Sequence, residues 1–135
     1  ARRGRRIHRL VGSALVAAVV LHVGGLWMTS PPDVIDALTF RSATPFSTWG
    51  VIAMVAAFCA AGLALLRRPM RLRPHIWQVA HVTLGTVIAV GSVIHALLIM
   101  GTMETVSKAM LCILVLAAAT LALRDVLLRG RIRSQ

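Results

Sequence analysis

A chain of 135 residues is long enough for one domain, but 58% hydrophobic against 14% charged residues excludes an ordinary soluble domain, which carries about 25% charged residues. The net charge of +11 does not point to nucleic acid, because the arginines fall in short clusters between long apolar runs. There is no basic face, no aromatic interleaving and no nucleic-acid motif, and the pattern is that of an all-α polytopic membrane protein.

The chain opens on Ala1 and is at once basic, with Arg2, Arg3, Arg5 and Arg6. The apolar run that follows exceeds a signal-peptide core, and no small-residue cleavage site follows at the right distance. The missing methionine leaves a processed chain or a fragment as readings. The first apolar run, 10–28, covers about 28 Å at 1.5 Å per residue, close to the thickness of a hydrocarbon core, and the first span is expected over 8–28. It stops at Thr29-Ser30-Pro31-Pro32, where the prolines cannot continue a helix. Residues 33–47 form a mixed connection, with a short surface helix expected over 32–38. The second span, 48–66, ends at Arg67, Arg68 and Pro69. A short basic loop leads to the third, 75–100, with Pro74 suited to a helix start. The fourth, 105–128, is opened by Glu104 to Lys108, and Arg124, Arg129, Arg131 and Arg133 crowd its end. Cys59 and Cys112 lie singly inside apolar runs and read as small buried hydrophobes. The expected fold is a four-helix transmembrane bundle.

Charge gives the orientation. The N-terminal segment, the 67–73 loop and the C-terminal tail hold 13 of the 15 Lys and Arg. The other two connections hold only Arg41 and Lys108, together with Asp33, Asp36 and Glu104. Basic residues stay inside, so both termini are expected in the cytoplasm.

Four histidines interrupt the apolar runs. His8 and His22 on the first span are 14 residues apart, and so are His81 and His95 on the third. Fourteen residues fall about 40° short of four turns and rise about 21 Å, so each pair projects from nearly one face, one ring near each side of a bilayer. The two spans run in the same direction, which puts His8 level with His81 and His22 level with His95. Ionisable residues are rare in membrane spans and usually functional. Two matched pairs on parallel helices are what two haems need, each held by one imidazole from either helix. His75, six residues before His81, points about 120° away and is expected at the interface, off the iron.

Other residues point less directly. Gly12 and Gly85 each follow an inner histidine by four, where a missing side chain admits either a porphyrin face or a neighbouring helix. Among the arginines near the inner site, Arg5 and Arg73 are the candidates for propionate contacts. Trp27, Trp49 and Trp77 lie near span ends and read as interface anchors. Nothing matches a nucleotide site, and no hydrolytic triad is plausible.

The segment Ile7-His8-Arg9-Leu10-Val11, with Leu21-His22 following, resembles the third span of the ferric reductase and NADPH oxidase membrane domain. Residues 77–96, with Ala80-His81 and Ile94-His95-Ala96, resemble its fifth span. The connections from Ser30 to Gly50 and from Gly101 to Thr105 look like those of small bacterial ferric reductase-like proteins. The resemblance implies two b-type haems with bis-histidine ligation, His8 and His81 on the cytoplasmic one, His22 and His95 on the outer one. It also implies a multi-pass protein of a bacterial cytoplasmic membrane. The chain would correspond to spans three to six, a fragment lacking two N-terminal spans. The expected function is transmembrane electron transfer, as the electron-transfer subunit of an oxidoreductase. A redox protein or quinone would be the partner, membrane lipid would surround it, and a larger complex could hold it. The rival reading is a non-redox membrane scaffold or accessory subunit whose histidines only pack.

Overall fold

The computed structural model describes the backbone of residues 2–100 and 105–132, and the side chains of residues 3–100 and 105–126. Five helices follow one another: α1 (Arg2–Thr29), α2 (Pro31–Leu38), α3 (Pro45–Leu66), α4 (Pro74–Leu98) and α5 (Thr105–Ile132). No strand occurs among the described residues. Four of the helices, all but α2, are long and apolar enough to cross a membrane. The shorter spans have 22 residues, about 33 Å of helix against a hydrocarbon core of about 30 Å.

Proline sets three of the helix starts. Pro31, Pro45 and Pro74 each stand in the first turn, where the missing N–H is one that no helix could satisfy. The short helix α2 begins one residue earlier than expected and carries one buried side chain, Val34. Ser30 donates to the Asp33 carboxylate at its start, 2.5 Å away. The first span begins well before His8, because the basic segment continues the helix. The third span stops at Leu98. Lys108, at the start of α5, donates to the carbonyl of Ile99 just beyond, so a cation meets the negative end of α4.

The core is the α3–α4 contact. Its buried residues are small: Val51, Ala53, Ala56, Ala57 and Ala60 on α3, Gly91 and Val93 on α4. Lipid tails are as apolar as leucine, so helices in a bilayer associate where small side chains let backbones approach. Gly91 is such a place. A Cβ there would stand 3.2 Å from Ala53 Cβ and 3.3 Å from the Trp49 carbonyl oxygen.

The four-helix bundle is open on one side. Helix α5 packs on α4, while α1 comes within 8 Å (Cα to Cα) of α2 and α3 but nowhere of α4 or α5. Cys112 is buried, but Cys59 is exposed on α3, which corrects the expectation for that cysteine: it lies off the α4 contact that buries Ala56, Ala57 and Ala60. Of the stretches that carried the resemblance and the orientation, residues 101–104 and Arg133 lie outside the described residues, as do the side chains of Arg129 and Arg131.

Candidate functional site

Two of the four histidines, His8 on α1 and His81 on α4, meet edge to face. The His8 and His81 rings are 5.9 Å apart between centroids, with their planes at 75°. No Cα of α1 lies within 8 Å of a Cα of α4 among the described residues, so the side chains make this contact.

His81 is half-buried, and its Nδ1 is buried with no hydrogen-bond partner. The indole Nε1 of Trp77 beside it is buried and unpartnered too. Buried nitrogens are nearly always bonded, so two orphans at one spot mark a place where a further group fits.

Trp77 precedes His81 by four residues, hence sits one turn below on the same face. Its ring stacks on the imidazole, 5.1 Å between centroids and 13° from parallel. On the α3 side, the Arg67 guanidinium carbon lies 4.2 Å from the Trp77 centroid. A cation over an aromatic face is worth about 0.5–1 kcal/mol at an exposed position. Trp77 is therefore half-buried in a stack instead of anchoring at the interface as Trp27 and Trp49 can, both of which are exposed near span ends. The spacing of four between Trp77 and His81 carried the signal for this contact; Arg67 sits on another helix and had none.

The second histidine of α4 is held differently. His95 Nδ1 is 2.7 Å from the carbonyl oxygen of Phe46, in the first turn of α3. A carbonyl only accepts, so Nδ1 carries the proton and Nε2 keeps its lone pair. A second bond of this kind is the usual companion of a histidine that ligates through Nε2. The Phe46 ring also meets the imidazole edge-on at 5.9 Å. Gly50 makes the arrangement possible, since a Cβ there would lie 2.8 Å from the His95 ring. Neither Phe46 nor Gly50 was legible as part of the site. His22 is exposed on α1, and no ring contact joins it to His95.

Gly12 and Gly85 have nothing within 4 Å of where a Cβ would be. They do not serve close helix packing among the described residues. Arg5 and Arg73 are exposed at the inner-histidine end, Arg5 one turn before His8. His75 is exposed in the first turn of α4, as its phase requires. Among the described residues, no three or more His, Cys, Asp and Glu side chains gather as a bare-ion site, which leaves two-ligand sites. An apolar pocket of about 230 Å³ is lined by Trp49, Ile52, Thr86, Val87, Val90 and Gly91. Val90, nine residues after His81, is half a turn round α4.

The donor set suits haem. Imidazole is an established axial ligand. His8 and His81, whose rings meet, would supply two such imidazoles to one group. Compared with family models, curated proteins and solved structures, the chain matches none significantly.

Proposed function

We propose that this chain is a diheme b-type cytochrome, ferric reductase-like in plan, that carries electrons between the two sides of a bacterial cytoplasmic membrane. Both termini face the cytoplasm in this reading, and the chain acts as the electron-transfer subunit of an oxidoreductase. The observation that carries it is the approach of the His8 ring on α1 to the His81 ring on α4, 5.9 Å between centroids.

His8 and His81 would hold the inner haem, and His22 and His95 the outer one. Haem iron, when bound, supplies reversible one-electron chemistry. The chain's own residues do the rest. Two imidazoles would hold each haem, which would suit the centre to electron transfer rather than to binding small molecules. Phe46 fixes the tautomer of His95 through its carbonyl. Gly12 and Gly85, each four residues after an inner histidine, would admit a porphyrin face, and Arg5 and Arg73 would pair with its carboxylates. The four apolar helices meet membrane lipid and exclude water from the rings. Successive histidines on one helix rise about 21 Å, so electrons cross in two shorter stages. A redox protein or a quinone is the partner implied at either end, and a larger membrane complex is compatible with the exposed flank of α1.

Histidine substitution tests this. His8→Ala and His81→Ala should each remove the inner haem and leave at least part of the outer one. His22→Ala and His95→Ala should do the reverse, and His75→Ala should leave the count unchanged. The unpaired imidazole that remains is costly in an apolar setting, so haem is counted per folded chain. Loss of a haem in His75→Ala with both kept in His81→Ala would overturn the assignment.

A further inference from the structure

The two α4 histidines are held by different devices. His95 is held by a hydrogen bond from Nδ1 to a backbone carbonyl. His81 has no hydrogen bond at either ring nitrogen: its Nδ1 is buried and unpartnered, and no bond is formed at Nε2. Whichever nitrogen takes a ligand, the other finds no protein acceptor. What meets the His81 ring instead is the Trp77 indole, 13° from parallel at 5.1 Å between centroids, with the Arg67 guanidinium carbon 4.2 Å from the indole centroid.

We propose that Trp77, backed by Arg67, is a positioning residue for His81, and that the Arg67–Trp77–His81 stack makes the inner centre the higher-potential one. The proposal rests on the haem reading above. Two effects run in the same direction. A hydrogen bond to a ligating imidazole raises its basicity and so favours the ferric state; His95 has that bond and His81 lacks it. A guanidinium near the site favours the state with less positive charge, the ferrous one. The indole face also fixes the plane of the His81 ring, at 75° to His8. Imidazole planes near a right angle leave the two iron orbitals that face them close in energy. A low-spin ferric centre so ligated gives a strongly anisotropic electron paramagnetic resonance signal.

The purified full chain should therefore show one strongly anisotropic low-spin signal, belonging to the centre that His81→Ala removes. That same centre should have the higher midpoint in a redox titration. Trp77→Leu should lower the anisotropy and Trp77→Phe should restore it. Arg67→Gln should keep the spectrum but lower the inner midpoint, with the outer centre unchanged as the internal control. Unchanged inner spectra and midpoints in both Trp77→Leu and Arg67→Gln, at equal haem content, would overturn the proposal. So would an inner midpoint below the outer one. A second readout needs no haem. In the haem-free chain, the stacked indole should shift the His81 ring protons upfield in the NMR spectrum, and Trp77→Leu should abolish the shift. A shift present in a chain that never takes up haem would retain the stack and sink the haem reading; haem uptake without that shift would sink the stack.

Discussion

A Cβ on Gly50 would lie 2.8 Å from both Cε1 and Nδ1 of His95. This glycine lets the imidazole lie against α3 and donate to Phe46, four residues earlier on the same helix. Gly50→Ala should push the ring off that bond. The expected outcome is a several-fold loss of the outer haem per folded chain, with the inner haem kept. An unchanged haem count in a folded variant would show that His95 does not need this seat.

Gly91 tests packing rather than ligation. A methyl there meets Ala53 and the Trp49 carbonyl oxygen, and a backbone oxygen cannot swing aside. Overpacking typically costs about 1–3 kcal/mol, against about 0.5–1 kcal/mol that alanine gains over glycine within a helix. Gly91→Ala should therefore destabilise the chain by about 1 kcal/mol, read as a lower unfolding midpoint in detergent. A midpoint at or above that of the unsubstituted chain would mean that α3 and α4 separate freely.

Gly12 and Gly85 should behave oppositely. Neither would bring a Cβ within 4 Å of anything, so Gly85→Leu should leave the haem-free chain as stable as before. In the loaded chain the leucine, four residues after His81, would take the room of a porphyrin face, and haem per folded chain should fall. Haem content equal to that of the unsubstituted chain would remove Gly85 from the site.

The helices were legible in the sequence because apolar runs bounded by Pro and Arg have few alternatives. Pro74 and Arg67 mark ends in both readings, and span limits moved by a few residues, save that the basic segment before His8 continues α1. Level placement of His8 and His81 followed from the 14-residue spacing and the parallel direction of the two helices. The supports of those rings were not legible. Phe46 acts through its backbone carbonyl, which no side-chain pattern records. Gly50 acts through an absent atom, and Arg67 reaches Trp77 from another helix. Trp77 was read as an anchor because a tryptophan near a span end usually is one; only the partner four residues on decides otherwise. The gap between α1 and α4 depends on which helices pack, and Ala53, Ala57 and Gly91 set that by their small size.

Topology gives an independent prediction. In a background with Cys59→Ala and Cys112→Ala, a single cysteine at Arg71→Cys should react with a membrane-impermeant reagent only from the cytoplasmic side. One at Ala43→Cys should react only from the outside. The basic residues concentrate in the loop that holds Arg71, and the loop that holds Ala43 carries only Arg41. The reverse labelling would invert the chain and exchange inner and outer sites.

The most direct measurement is the haem content of the purified chain. Pyridine haemochrome assay should give two b-type haems per folded chain, with a Soret band and a reduced α-band in the visible spectrum. Folded protein purified from haem-replete cells that shows neither band, and takes up no haem on addition, would contradict the account at its centre.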